Sequence, residues 1–319
     1  MKKAELLFIP TPGMSHLVST VEVAKLLVDR DERLSITFLI MKLHFDPKVD
    51  RFIDSVSTAC NRIRFIHLSK LEPDPNQPKK LFVSMIEAQK PSVKEEVSRL
   101  VSRSESSPSS PTIAGIVLDM FCTSMIDVAN EFGLPSYIFL TSSAASLGLQ
   151  FYVQTLHDEQ KVDPTEFKGS DTELVMPCLV NPLPAKLLPS VMLNKEWLPI
   201  LISPARRFRE TKGIMVNTFE ELESHAINSF SNGNTPPVYP VGPMLSLYRD
   251  GDFQSDGDEN IIVSAGEIER GVRCLMELDN EKRERVKEMS GKSRKALENG
   301  GTSSSWLDRF IHDVVGHKP

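Results

Sequence analysis

The feature that most constrains the fold is an alternation of apolar runs and amphipathic stretches over residues 1–245 of the 319. The apolar runs are strand-sized and nearly continuous, and they cover residues 5–10, 35–41, 62–68, 113–120, 136–140, 214–217 and 238–241. The stretches between them carry apolar residues at helical spacing over residues 16–30, 79–103 (interrupted at Pro91), 123–132 and 144–160. Strands that are apolar throughout are buried on both faces, which is typical of a parallel sheet covered by helices. The pattern therefore predicts an α/β fold.

The remaining residues follow a different pattern. Residues 246–264 are polar, with five acidic residues and two glycines between positions 250 and 259, and we interpret them as a solvated linker. Residues 265–319 are helical by pattern, and the glycines at 300 and 301 separate a highly charged helix from a last amphipathic one. About 55 residues of helix are too few for a second full domain. The predicted organisation is a domain over 1–245, an acidic linker over 246–264 and terminal helices over 265–319.

Composition excludes several classes of protein. The 37 basic and 43 acidic residues give a net charge of −6, which argues against a nucleic-acid-binding chain. No apolar run approaches the roughly 20 residues of a membrane span, and the first apolar run is too short for a secretory leader. The four cysteines are scattered without a CxxC pair (Cys60, Cys122, Cys178 and Cys274). This distribution favours a reducing, cytoplasmic location without a disulfide framework or a metal site.

A Pro/Gly turn at residues 10–14 follows the first strand and brings Ser15 and His16 to the start of a helix. In open α/β sheets, ligands bind outside the carboxyl ends of the strands, where a helix N-terminus offers free N–H groups. His16 is therefore a candidate general base. The alternative is that His16 only caps the helix or packs near its start.

Asp119 ends the fourth predicted strand. A carboxylate at the end of a buried strand is costly unless it is paired, and a histidine Nδ1–H is a natural partner. His16 and Asp119 lie 103 residues apart in sequence and would meet only if the first and fourth strands are neighbours. The alternative is that Asp119 caps the helix that begins near Thr123.

Several segments together resemble one family. They are residues 8–17, 119–137, 141–144, 213–223 and 238–243, followed by residues 265–270 and 296–303 of the tail. In this order they are similar to the plant UDP-dependent glycosyltransferases of glycosyltransferase family 1. The resemblance runs across about residues 4–245 and continues in the terminal helices.

The resemblance implies a GT-B fold, in which two Rossmann-like domains face each other across a cleft. The N-terminal domain would hold the acceptor and the C-terminal domain the UDP-sugar. His16 would match the base that deprotonates an acceptor hydroxyl, and Asp119 the carboxylate that orients it. The implied reaction is inverting transfer of a hexose, with glucose expected, from a UDP-sugar to a small lipophilic acceptor such as a flavonoid. The UDP-sugar is a co-substrate, and no cofactor or metal is expected.

The departure from the family is as informative as the match. The family's donor signature begins Trp-Cys-Pro-Gln and contains His-Cys-Gly-Trp-Asn-Ser, and neither segment occurs in this sequence. The resemblance therefore implies that most of the donor-binding domain is missing between about residues 250 and 265, so that a UDP-sugar would bind only if that domain were supplied. Two hypotheses remain: a glycosyltransferase, or an inactive acceptor-binding remnant. A dehydrogenase is disfavoured because no GxGxxG motif follows the first strand.

Seven side chains are candidates for the acceptor pocket. Candidate residues for binding a flat phenolic acceptor are Ser15, Met85, Phe121, Thr141, Phe151, Met192 and Trp197. Apolar and aromatic walls suit such a ligand, although ordinary packing is the alternative for each residue. In the tail, Trp306, Phe310 and Val314 are expected to pack on the N-terminal domain, whereas the side of the preceding helix that carries Ile268 and Leu275 should be poorly covered.

Overall fold

The computed structural model describes residues 3–41, 47–69, 82–107, 109–244, 266, 269–270, 273 and 281–316. Seven strands form one parallel sheet in the order β3-β2-β1-β4-β5-β8-β9. They are β1 (Ala4–Ile9), β2 (Leu34–Ile40), β3 (Ile63–His67), β4 (Thr112–Asp119), β5 (Ser136–Leu140), β8 (Ile214–Val216) and β9 (Val238–Pro240). A short antiparallel ladder pairs β6 (Glu173–Leu174) with β7 (Leu183–Pro184). The predicted α/β fold and all seven predicted strands of the parallel sheet are confirmed.

Helices cover both faces of the sheet. They are α1 (Met14–Arg30), α2 (Pro47–Ala59), α3 (Phe82–Ala88), α4 (Lys90–Ser106), α5 (Ile126–Glu131), α6 (Ala144–Asp158), α7 (Leu198–Phe208), α8 (Glu220–Asn228), α9 (Glu281–Leu297) and α10 (Thr302–Gly316). The helical pattern interrupted at Pro91 becomes two helices, because α3 ends at Ala88 and Pro91 lies in the first turn of α4. A proline is tolerated there since the first N–H groups of a helix have no intrahelical partner. No helix among these combines the length and apolar character needed to cross a membrane.

The two faces of the sheet build two separate hydrophobic clusters. Because side chains alternate along a strand, Ile116 and Leu118 of β4 lie in the cluster beneath α4 to α8, whereas Val117 lies in the cluster beneath α1, α2 and α10. The strand order reverses between β1 and β4, and such a reversal opens a crevice at the carboxyl ends of the strands. This edge is therefore where a functional site is expected.

Helix α10 packs on the sheet of the N-terminal part of the chain, as predicted from its apolar stripe. Phe310 is fully buried, with its ring 5.2 Å from that of Tyr137 and 5.3 Å from that of Tyr239, both edge-on. Val314 is also buried, and half-buried Trp306 donates its Nε1–H to Glu220 at 3.3 Å. The last helix thus contributes to the same core as the first strands.

Helix α9, in contrast, is largely exposed. Ala296 is its single buried residue, and its outer face carries pairs such as Lys287–Glu284 and Lys292–Glu288. The expectation for Ile268 and Leu275 falls on residues outside those described, as does the predicted linker at 246–264.

Candidate functional site

The register between β1 and β4 brings two loops together. Ile9 pairs with Leu118, so the turn after β1 and the end of β4 leave the sheet side by side. Asp119 is the last residue of β4, and its side chain is completely buried. The first and fourth strands are therefore neighbours, which is the condition under which His16 and Asp119 can come into contact.

The turn after β1 places His16 in the first turn of α1. Gly13 immediately precedes the helix and has φ +143°, a conformation that side-chain-bearing residues rarely adopt. Helix α1 begins at Met14, and the hydroxyl of Thr20 donates to the carbonyl of His16 at 2.7 Å. The backbone that carries the histidine is thus held by both the glycine turn and the helix.

His16 and Asp119 form a hydrogen-bonded pair. The Nδ1 of His16 lies 2.7 Å from Oδ2 of Asp119, and the histidine side chain keeps 23% of its surface exposed. Since an ionised carboxylate can only accept, Nδ1 carries the proton and Nε2 keeps a free lone pair. Burial lowers the pKa of His16, but the hydrogen bond and the charge of Asp119 outweigh it, so the pKa is raised overall. The pair can accept a proton from a nearby hydroxyl.

The second carboxylate oxygen of Asp119 is also held. The hydroxyl of Thr11 donates to Oδ1 at 2.5 Å, and the backbone N–H of Phe121 donates to the same oxygen at 3.2 Å. The Sγ of Cys122 lies 3.6 Å from the Thr11 hydroxyl. Burial, together with the charge of Asp119, raises the pKa of the Cys122 thiol well above its usual value. Neither Thr11 nor Cys122 was among the site residues predicted from the sequence, although both lie within three residues of the ends of neighbouring strands.

The side chain of Asp119 does not cap the next helix, which was the alternative interpretation. The short 3-10 helix Thr123–Met125 has Cys122 at its N-cap position, and no side chain caps it. Asp119 instead binds His16, Thr11 and the backbone of Phe121.

Three of the predicted acceptor residues lie around this edge. Phe121 packs edge-on against His16 with ring centres 5.8 Å apart. Ser15 is exposed and directly precedes His16. Thr141 directly follows β5, which pairs with β4 through Phe139 opposite Asp119. Met85 is partly buried on α3.

The remaining three of the seven predicted acceptor residues are Phe151, Met192 and Trp197. Phe151 is buried against Phe208 and Phe230, and the Arg209 guanidinium lies 4.4 Å from its ring centre. Met192 is buried in a small cluster with Val153, Leu198 and Ile202. Trp197, just before α7, is 48% exposed. These contacts match ordinary packing for Phe151 and Met192, and a role for the three in acceptor binding stays a prediction.

The described residues contain no group of three or more His, Cys, Asp and Glu side chains that could hold a metal ion. The structure is an α/β domain with a buried carboxylate that holds a partly exposed histidine at the carboxyl edge of its parallel sheet. Such a histidine can act chemically as a base towards a hydroxyl group.

Comparison with known proteins identifies the family. The chain is 52% identical over 259 residues to UDP-glucose flavonoid 3-O-glucosyltransferase 6 of Fragaria ananassa, which covers 79% of this chain and 53% of that protein. It is 50% identical over 240 residues to anthocyanidin 3-O-glucosyltransferase 1 of Manihot esculenta, covering 75% of this chain and 52% of that protein. No protein-family model matches the chain.

Solved structures agree with these relatives. A transferase from Siraitia grosvenorii in complex with UDP superposes with a TM-score of 0.82 at 29% identity, over 98% of this chain and 100% of that chain. UGT71G1 of Medicago truncatula, complexed with UDP-glucose, gives a TM-score of 0.83 over 98% of this chain and 99% of that chain, and at 24% identity it supports the fold alone. The chain belongs to the plant UDP-glycosyltransferases, whose structures have the GT-B fold. It spans about half the length of the curated relatives it matches.

Proposed function

We propose that this chain carries the acceptor-activating half of an inverting glucosyltransferase. In this proposal, His16 takes the proton from a hydroxyl group of a small phenolic acceptor, and Asp119 orients the histidine. The observation that carries the proposal is the 2.7 Å contact between Nδ1 of His16 and Oδ2 of Asp119 at the crevice edge of the sheet. It leaves Nε2 as the available base.

The proposed reaction balances without a metal or a redox cofactor. The acceptor oxygen loses its proton to Nε2 of His16 and attacks the anomeric carbon of the sugar. The bond between that carbon and the diphosphate oxygen breaks, UDP leaves with the electron pair, and the configuration inverts. Asp119 stabilises the imidazolium that forms, and a well-placed base of this kind contributes about 10²–10⁴ in rate.

Two observations support the proposed substrates. Relatives are named for UDP-glucose and for flavonoid or anthocyanidin acceptors, which makes glucose and a flat phenolic the favoured pair. The ring of Phe121 beside His16 supplies an aromatic wall of the kind such an acceptor would pack against. UDP-glucose is proposed as a co-substrate, with no resident cofactor.

We further propose that the chain by itself binds an acceptor without converting it. The donor signature of the family is absent from the sequence, so the diphosphate and sugar have no matching residues to hold them. Positioning supplies about 7–11 kcal/mol of barrier reduction, and it acts only on a bound donor. The purified chain is therefore expected to bind a flavonol weakly in calorimetry and to form no glucoside from UDP-glucose.

A chimaera tests the catalytic proposal. The donor half of the Fragaria relative is inserted between residues 250 and 265, and glucoside formation from UDP-glucose and a flavonol is measured by chromatography. We expect the chimaera to be active and His16→Ala to lower its kcat by about 10²–10⁴. His225→Ala, at an exposed histidine of α8, is the matched control and should leave the rate unchanged. Full activity of the His16→Ala chimaera, or steady His16-dependent turnover by the unmodified chain, contradicts the proposal.

A further inference from the structure

The two oxygens of the Asp119 carboxylate have different partners. Oδ2 accepts from His16, whereas Oδ1 accepts the Thr11 hydroxyl at 2.5 Å and the more distant Phe121 N–H at 3.2 Å. Thr11 is only 1% exposed, so water does not compete for this contact. The hydroxyl of Thr11 is therefore the side-chain donor that holds Oδ1 in place.

The hydroxyl of Thr11 takes part in two hydrogen bonds, one with Asp119 and one with Cys122. A threonine hydroxyl has one proton, and Thr11 gives it to Asp119, so its oxygen is left as an acceptor. The Cys122 Sγ at 3.6 Å keeps its proton because burial raises the pKa of the thiol, and it can donate to that oxygen. The result is a chain of donors running from Cys122 through Thr11 to the carboxylate, with His16 donating from the opposite side.

We propose that Thr11 is a positioning residue of the base dyad. Its hydroxyl fixes the rotation of the Asp119 carboxylate and thereby keeps His16 in the tautomer with the proton on Nδ1 and the lone pair on Nε2. The ring nitrogen that carries the proton is set by the hydrogen bond that the ring makes, so a carboxylate that rotates freely would enforce the tautomer less. The catalytic consequence rests on the function proposed above, whereas the tautomer of His16 can be measured without any turnover.

Thr37 provides a matched comparison within the same sheet. Its hydroxyl donates at 2.5 Å to Oε1 of Glu5, a second fully buried carboxylate, which also binds Arg64 and Arg103. Both threonines therefore give a hydroxyl proton to a buried carboxylate of a central strand, Glu5 of β1 or Asp119 of β4. Among the described contacts of the two carboxylates, the histidine contact belongs to Asp119, the partner of Thr11. A purely structural role predicts that both threonines affect stability and that neither affects His16.

The experiment is an NMR titration of the whole chain with ¹⁵N-labelled histidine. The ¹⁵N shifts of His16 report its tautomer and its pKa in the unmodified protein and in Thr11→Val, Thr11→Ser and Thr37→Val. We expect His16 to be mainly the Nδ1–H tautomer in the unmodified chain and in Thr37→Val. In Thr11→Val the shifts should move towards a mixture of tautomers, and Thr11→Ser, which restores the hydroxyl, should return them. Thr11→Ala replaces Thr11→Val if the valine variant does not fold.

Unchanged His16 shifts in the variant that lacks the Thr11 hydroxyl would overturn the proposal, as would the same change in Thr37→Val. In the active chimaera, Thr11→Val should lower kcat about tenfold with little change in KM, which corresponds to about 1.4 kcal/mol of transition-state stabilisation. If His16→Ala does not impair the chimaera, the proposed function fails, while the shifts of His16 still decide the role of Thr11.

Discussion

At the scale of single residues, the candidate site is built around one buried carboxylate, that of Asp119, whose two oxygens accept hydrogen bonds from different side chains. Asp119 is enclosed at the end of a central strand, and each of its oxygens accepts from a side chain that follows β1. A buried charge is costly unless such partners satisfy it. Burial lowers the pKa of His16, but its hydrogen bond to Asp119 and the charge of that carboxylate raise the pKa overall, so the geometry and the protonation of His16 are linked.

The pH dependence of the active chimaera follows from that link. His16 acts as a base only when neutral, and its pKa lies above the ordinary value of 6.5, so the rate should fall as the pH falls through the raised pKa. In Asp119→Asn the raising contacts are lost and burial remains, so the acidic limb should move to lower pH while the maximum rate falls about 10²-fold or more. Rates measured from pH 5 to 9 check this, and an unchanged acidic limb would contradict the assignment of Asp119.

The pH dependence of folding stability should be opposite to that of the rate. Because the pKa of His16 is raised in the folded state, the protonated pair contributes stability below about pH 6.5, and this contribution is lost as the pH rises through the folded pKa.

At the scale of elements, helix α10 is the last segment of the described chain and yet contributes to the core of its first strands. Its buried residues lie in one cluster with β1, β2 and α1. Polar contacts add to this packing, since the Tyr239 hydroxyl donates to Asp313 at 2.7 Å and the Ser303 hydroxyl donates to the Gly242 carbonyl at 2.6 Å. Docking of α10 therefore closes one face of the sheet.

Truncating the aromatic anchor of α10 should be strongly destabilising. Phe310 is fully buried between two tyrosine rings, so Phe310→Ala loses apolar contacts and leaves a cavity, with an expected cost of about 3–5 kcal/mol in the free energy of unfolding. His312→Ala on the same helix, at a side chain that is 86% exposed, should change it by less than about 0.5 kcal/mol. Urea unfolding measures both, and equal effects would show that α10 is not anchored through Phe310.

At the scale of the whole molecule, the described residues divide into a well-covered α/β core and an exposed charged helix. Helix α10 belongs to the core, whereas α9 is attached mainly at its carboxyl-terminal end, where Ala296 is buried. Local opening follows such differences in burial. The two terminal helices should therefore differ in their dynamics although they are adjacent in sequence.

Amide hydrogen exchange should separate the two helices. Amides of residues 303–314 are expected to exchange as slowly as those of β1 and β4, because they unfold only with the core. Amides of residues 281–293 are expected to exchange orders of magnitude faster, through local opening of an exposed helix. Exchange followed by mass spectrometry on the full chain tests this, and slow exchange in α9 with fast exchange in α10 would reverse the assignment of the core.

The sequence by itself determined the seven strands of the parallel sheet, many of the helices and the edge at which the candidate site lies. It did not predict helices α2, α7 and α8 or the short β6–β7 ladder. Strands and helices can be predicted from the local periodicity of apolar residues. A strand that is buried on both faces of a sheet is apolar at nearly every position, and most of the seven runs have this pattern. The same local reasoning placed His16 and Asp119 at the ends of strands and Phe310 on an apolar face. The family resemblance added their expected roles.

Only the tertiary structure decided which residues meet. The 2.7 Å contact between His16 and Asp119 requires β1 and β4 to be neighbours in the sheet. The hydrogen bond from Thr11 to Asp119 requires the observed register between these two strands. Hydrophobic periodicity predicts neither the strand order nor the register. Likewise, the contacts of Phe151 with the rings of Phe208 and Phe230 could not be predicted from its place in the sequence, and its role in acceptor binding stays a prediction. Local patterns record whether a side chain is buried, whereas the partner it is buried against is chosen by contacts between segments that lie far apart in the chain.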